Sequence, residues 1–421
     1  MTSVELDMIQ TAGIGALALM VGMVLTRKVA FLQRFCIPSP VSGGIIFSLL
    51  GLALYAWFHV ELSFDDTLKD VFMLAFFTSV GYQSDLKVLK QGGKALVVML
   101  ILLVLIITLQ NLMPLGITKL LGVDSLLGIA TGSVSMTGGH GTAGGFADVL
   151  EGMGLQGAGT IGMAAATFGL IAGSMVGGPL AEFIIRKKLT HEQMQQDVEI
   201  DPAMSGIESD EASPEGRAKR ISSNEQEFQQ YAKACYWIIL AMAGGTLLSW
   251  VFARTGITFP SYFGALILAA IMRNTIGFIP YKENGKWVKG DKQFDMDRII
   301  SVGNICLSLF LGMAMISLKL WELSSLALPL VVILAAQILM MVLFVYFVAY
   351  PLLGRNYDAA VLCAGICGFG LGATPNAMAN MSAVCYKYRY TVKPFLIVPI
   401  IGAMFADLIN TAIITLFLNF I

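Results

Sequence analysis

Thr131-Gly-Ser-Val-Ser135-Met-Thr137-Gly-Gly-His140-Gly-Thr142 interrupts a run of long apolar blocks. A second such stretch, Gly365-Ile-Cys-Gly-Phe-Gly370-Leu-Gly372-Ala-Thr374-Pro-Asn376, lies far down the chain. Glycines, hydroxyls and amides stand here where the neighbouring segments are almost purely aliphatic. In a soluble protein such a stretch reads as a loop. Gly139-x-Gly141-x-x-Gly144 even satisfies the dinucleotide fingerprint, but no strand precedes it and apolar spans flank it, so that reading is rejected. Non-helical backbone at membrane depth is tolerated only where protein or a water-filled cavity lines it. Each stretch therefore reads as the tip of a re-entrant hairpin, over 125–150 and 358–384.

The surroundings carry this reading. Of 421 residues, 56% are hydrophobic and only 13% charged, against about 25% charged in ordinary soluble chains. Ile9 to Leu25, Val41 to Phe58, Ala95 to Leu112, Ala234 to Phe252 and Leu328 to Leu352 are nearly free of charge. About 20 apolar residues cross a bilayer as a helix. Ten spans are expected, at 9–25, 40–58, 68–85, 95–113, 155–185, 231–253, 258–278, 299–318, 326–350 and 391–418. Arg27 and Lys28 follow the first block instead of preceding it, the wrong flank for a cleaved signal peptide. The net charge of −1 offers no electrostatic footprint for nucleic acid. The six cysteines mostly lie in or beside apolar blocks, and Cys363-x-x-x-Cys367 is neither a zinc nor a thioredoxin pattern. They read as small packing residues.

Basic residues set the sidedness. With the N-terminus outside and both hairpins re-entrant, 23 of the 27 Lys and Arg fall in the cytoplasm. Only Lys69, Lys119, Arg254 and Lys319 fall outside. A fully spanning hairpin would move the basic clusters after it to the wrong face. Both termini are then periplasmic, and the expected location is the inner membrane.

The two halves also match. Ile37-x-x-Pro40-x-x-x-Gly44 recurs as Ile257-x-x-Pro260-x-x-x-Gly264, Leu74-Ala-Phe-Phe77 as Leu307-Ser-Leu-Phe310, and Leu96-Val-Val-Met-Leu100 as Leu330-Val-Val-Ile-Leu334. Gly132, Gly139 and Gly169 keep a constant offset from Gly365, Gly372 and Gly402. An odd number of spans per half turns the second copy upside down. The fold class is thus an all-α polytopic membrane protein of two inverted five-span repeats, 1–186 and 231–421. The acidic connector 187–230, with Glu192, Asp197, Glu199, Asp201, Glu208, Asp210, Glu211 and Glu215, reads as a flexible cytoplasmic linker. Inverted repeats are typical of secondary transporters, whose substrate sites lie at the midplane between repeats.

Each tip has the chemistry for small ions. A helix starting at a tip points unpaired N–H groups at anions such as carboxylates. Unwound carbonyls and Thr, Ser or Asn oxygens suit a hard cation such as Na⁺. The alternative, that Gly and Ser merely allow close helix packing, fits Gly43, Gly44, Gly177 and Gly178 well but the tips poorly. His140 and Asp407 are ionisable groups at membrane depth and functional candidates for that reason. His140 either donates to a carboxylate or is a structural hydrogen-bonder. Asp407 either meets a cation or a substrate ammonium, or caps hairpin two or bonds Asn304. Asn304, Asn376, Asn380 and Asn410 are ligands or interhelical hydrogen-bonders.

Three stretches stand out: Ser135-Met-Thr-Gly-Gly-His-Gly-Thr142; Leu307-Ser-Leu-Phe-Leu-Gly-Met-Ala-Met315 running on to Lys319-Leu-Trp-Glu322; and Asn356-Tyr-Asp-Ala-Ala-Val-Leu362 leading into Gly368-Phe-Gly-Leu-Gly-Ala-Thr-Pro375. In them the chain resembles the bacterial sodium/glutamate symporter family. The resemblance covers nearly everything but the linker. It implies a homodimer, Na⁺-driven uptake of L-glutamate, and a substrate and ion site at the two hairpins. Candidate substrate contacts are Ser133, Ser135, Thr137, Gly138, Gly139, His140, Gly141 and Thr142 on tip one, Gly370, Gly372, Thr374 and Asn376 on tip two, and Asp407. Candidate Na⁺ ligands are Asn304, Thr374, Asn376, Asp407 and Asn410. Na⁺ is the coupling ion, and no cofactor is expected. Rival readings are a symporter of another dicarboxylate and an anion channel. An enzyme would need paired carboxylates, a Ser/His/Asp set or a metal motif, none of which the sequence offers.

Overall fold

The computed structural model describes residues 2–85, 93–189, 214–254, 258–276, 279, 281–283, 286–288 and 294–421. Most of the expected linker 187–230, the bulk of the 277–293 loop, Lys87, Lys90 and Ile257 lie outside the described residues.

The chain is mostly helical. In the first half, α1 (Met8–Lys28), α2 (Ser39–Ala53), α3 (Thr67–Gln83) and α4 (Gly93–Leu121) lead to the short α5 (Ser125–Ala130), then α6 (Gly139–Gly152) and α7 (Ala158–Lys188). In the second half, α8 (Pro214–Ala253), α9 (Phe263–Thr275), α10 (Met296–Ile316) and α11 (Ala327–Phe344) lead to α12 (Tyr357–Gly370), α13 (Thr374–Lys387), α14 (Lys393–Ile400) and α15 (Ala406–Leu418). Among the described residues, seven helical stretches are long and apolar enough to cross a membrane. Helix α3, at 17 residues, and α9, at 13, fall short of that length. A π-helical turn at Ile401–Phe405 joins α14 to α15.

Local sequence explains the helix ends. Asp7 forms a capping box with Gln10 at the start of α1, and Arg27 and Lys28 close its last turn, where positive charge complements the helix dipole. Asp124 caps α5 by accepting from the Leu126 N–H at 2.8 Å. Asn356 caps α12 through the Ala359 N–H at 2.9 Å. Among the described residues, two short sheets depart from an all-α chain, and one of them is the antiparallel pairing of Tyr281–Glu283 with Lys286–Val288. In the other, residues Thr2–Leu6 and Val60–Phe64 pair as two parallel strands, β1 and β2. Parallel strands need a long crossover, and α1 with α2 supplies it. Each strand is too short to stand out beside the apolar blocks.

The helices sort into two groups. Helices α1, α2 and α3 pack with α8, α9 and α10; α4 to α7 pack with α11 to α15. The first two helices of each half cross where glycines meet, Gly22 against Gly43 and Gly245 against Gly264. Close packing at small residues is what membrane helices use in place of a hydrophobic drive. Gly44 packs on Met315 and Gly177 on Asn380, whereas a Cβ on Gly178 would meet nothing within 4 Å among the described residues. An aromatic seam joins the groups. Phe77 of α3 stacks on Tyr262 at 3.6 Å, and Phe146 of α6 meets Tyr262 edge-on at 6.2 Å.

Candidate functional site

Both glycine-rich stretches break their helices. After α5 the chain leaves helical geometry over residues 131–138, and α6 restarts at Gly139, whose φ of +61° favours glycine. In the second half α12 stops at Gly370 and α13 restarts at Thr374, with Pro375 in its first turn. Proline fits there because its missing N–H has no intrahelical partner in any case. The arms are unequal, since α5 has 6 residues and α6, α12 and α13 have 14 each.

The tips touch each other. A Cβ on Gly139 would lie 3.0 Å from the Gly372 carbonyl oxygen. Thr137 donates weakly to the Gly370 carbonyl at 3.4 Å and more closely to Gln110 Oε1 at 2.6 Å. Gln110 Nε2 in turn donates to the same Gly370 carbonyl. A cavity of about 220 Å³ lies where they meet. Tip one contributes Thr137 through Thr142, tip two Gly372 through Pro375, and the helix behind them Gly402, Ala406 and Asp407. Phe76, Leu307, Leu311 and Phe369 give it apolar walls.

Within this arrangement the expected residues take different places. Ser133 is held by Asn111, with Asn111 Nδ2 donating to Ser133 Oγ at 2.7 Å and the Ser133 N–H donating to Asn111 Oδ1 at 3.2 Å. Ser135 donates to the Ala130 and Gly162 carbonyls. Both are buried and sit behind the cavity wall, with their hydrogen bonds spent on the fold. His140 lines the cavity, and its Nε2 lies 2.9 Å from Thr167 Oγ1. Thr167 gives its one proton to the Met163 carbonyl at 2.9 Å, so the arrangement that satisfies both bonds has the imidazole donating from Nε2. That proton is then not available to a carboxylate. Gly370, Asn376 and Asn410 stand just outside the wall. Asn376 Nδ2 donates to the Leu170 carbonyl at 2.8 Å and Asn410 Nδ2 to the Ser133 carbonyl at 3.1 Å. Both Oδ1 atoms are buried without a partner, and so is Thr142 Oγ1. A buried polar atom left unpaired costs about 1–3 kcal/mol, so three in one neighbourhood point to a ligand.

Asp407 lines the cavity and carries no hydrogen bond or ion pair among the described residues. It bonds neither Asn304 nor hairpin two. Asn304 is not brought to the site. It sits one turn before Leu307 on α10, and its side chain is exposed. Leu307 and Leu311 of α10 line the wall, and the cavity ends a turn short of Asn304. Asn380 donates to the Gly173 carbonyl at 2.9 Å, an interhelical bond.

Four residues that shape the site carry no signal in the sequence. Gln110 and Asn111 of α4 clamp tip one, Thr167 of α7 holds His140, and Gln337 of α11 donates to the Gln110 and Thr131 carbonyls at 2.9 and 3.2 Å.

A second cavity of about 300 Å³ lies further along α6 and α10, lined by Asp66, Lys69, Asp148, Glu151, Lys319 and Glu322 among others. Phe310 and Met163 pack onto Gly144 in the wall of this second cavity.

Comparison with known proteins agrees over nearly the whole chain. The sodium/glutamate symporter family model matches residues 4–390. The sodium/glutamate symporters of Escherichia coli K12 and Shigella flexneri are each 36% identical over 416 residues, 98% of this chain and 98% of theirs. That of Haemophilus influenzae is 36% identical over 409 residues, 96% of this chain and 95% of its own.

Proposed function

The chain belongs to the sodium/glutamate symporter family, and from that premise we propose that it carries L-glutamate into the cell together with Na⁺. The observation that carries this reading is the meeting of two broken-helix tips around one cavity, with an unpaired carboxylate in its wall. L-Glutamate has two carboxylates and one ammonium. The helix restarts at Gly139 and Thr374 offer N–H groups to carboxylates, and Asp407 offers its charge to a cation or to the ammonium. Inside-negative potential opposes a net anion by about 2.3 kcal/mol per charge per 100 mV. One co-transported Na⁺ cancels that charge, and a second would let the potential drive uptake.

The same reading includes the membrane arrangement. Ten spans form two inverted repeats, 1–186 and 231–421, joined by a cytoplasmic linker at 187–230. Hairpins 125–150 and 358–384 re-enter from opposite faces and end at one level. The 23-to-4 charge split supports it, as does the recurrence of the glycine crossing in both halves. The termini then face the periplasm of an inner-membrane protein, and the charged second cavity faces outward. Alternating access moves the tip-bearing group of helices against the group formed by α1 to α3 and α8 to α10, which holds the homodimer. Substrate contacts come from the groups that line the cavity, Thr137 to Thr142, Gly372 to Pro375 and Asp407.

The test is uptake of labelled glutamate into proteoliposomes. Accumulation should require inward Na⁺ and vanish when K⁺ replaces it. Accumulation driven by protons alone would overturn the coupling. Persistence without any ion gradient would favour a channel, and loss of glutamate competition another dicarboxylate.

A further inference from the structure

We propose that Asp407, Asn410 and Thr142 form the coupling-ion site, with Na⁺ held between the last helix and the first turn of α6. The assignment rests on the transport reading above and deepens it by separating ion ligands from substrate contacts.

Two observations point to these residues. Asn410 and Thr142 are 0% and 1% exposed, and each ends in an oxygen without a partner. The Asn410 amide is not free to turn, because its Nδ2 is committed to the Ser133 carbonyl at 3.1 Å. Its Oδ1 is therefore presented in a fixed direction and left unsatisfied. Both side chains crowd against one glycine. A Cβ on Gly138 would lie 2.6 Å from Thr142 Oγ1 and 2.7 Å from Asn410 Nδ2. They are thus neighbours, although they come from helices in different halves of the sequence.

Asp407 completes the set. It stands one turn before Asn410 on α15, so i,i+3 spacing puts both on one face. It lines the cavity together with Thr142. A carboxylate, an amide oxygen and a hydroxyl are hard oxygen donors suited to an alkali cation. The positive end of α6 opposes a cation there, and the Asp407 charge offsets it. A carboxylate ligand cannot replace the ion at this place. It would face Asp407 with like charge, and Asn410 Oδ1 has no proton to offer it.

The experiment is Na⁺ titration of the purified full-length protein, without glutamate, at constant ionic strength kept with choline. Thermal unfolding gives the readout, because a ligand that binds only the folded state raises the melting temperature. The half-saturating Na⁺ concentration should rise about tenfold or more in Thr142→Val. It should rise similarly in Gly138→Ala, whose new methyl pushes both ligands apart, and return toward the parent value in Thr142→Ser. Thr142→Ala removes the hydroxyl without new branching and gives the same readout should the valine variant not fold. A parent-like Na⁺ response in the truncated variants would overturn the site. A parent protein that accumulates glutamate without Na⁺ would overturn the transport reading itself, and that result is read before any variant is made.

Discussion

The two tips meet at one cavity but are held in different ways. Tip one is clamped over its whole length. Asn111 brackets Ser133, Gln110 takes the Thr137 hydroxyl, Ser135 bonds two carbonyls and Gln337 spans from Thr131 to Gln110. Tip two breaks only over residues 371–373 and is tied to α7 by two asparagines, Asn376 and Asn380. Pro375 at its apex is exposed, whereas Ser133, Ser135 and Thr137 are buried. The difference teaches that similar glycine-rich sequence can build a fixed wall on one side of a site and a lightly fastened one on the other. Neither tip brings a carboxylate; the charge comes from Asp407, on a helix behind them.

That division predicts graded effects. The largest belongs to Asp407. Asp407→Asn keeps the shape and removes the carboxylate that lines the cavity with both tips, so uptake should fall by about a hundredfold or more while the protein stays folded in the membrane. Near-normal uptake and Na⁺ response would return Asp407 to a structural role. Next comes the contrast between the tips. Asn111→Ala strips two bonds from buried Ser133 and should cost about 1–3 kcal/mol of stability, visible as a lower melting temperature. Asn376→Ala should cost less stability and more transport, about tenfold in uptake. Equal melting-temperature losses for the two variants would break the comparison. The smallest effect belongs to His140. Gln at this place can still donate an amide proton to Thr167, so His140→Gln should change uptake by about threefold or less. Loss of uptake in this variant, with its melting temperature unchanged, would mean that the imidazole meets the substrate after all.

Much of this was legible in the sequence. Long apolar blocks announce their helices because the bilayer demands length and low charge. Breaks at Gly139 and Thr374 were legible because glycine runs and Pro375 cannot sit inside a continuous span. Asp407 was legible because a charge at membrane depth is expensive. Partners were not. Gln110 and Asn111 look like any amide in an apolar helix until the fold sets them against tip one. Asn304 shows the converse, since helical spacing alone puts it on the side of Leu307 while the cavity ends a turn short of it. Strands β1 and β2 escaped notice because pairing between residues 2–6 and 60–64 depends on where two long helices return the chain.

The account stands on the two tips bounding one site, and cross-linking tests that most directly. Thr142 and Thr374 line the same cavity from opposite tips. Cysteines at both positions, in a full-length background with the six native cysteines replaced, should be joined by a short bifunctional reagent in membranes. Each should be slow to react with membrane-impermeant reagents from either face. Failure of every short reagent to bridge them, together with free labelling of both from one face only, would contradict the account.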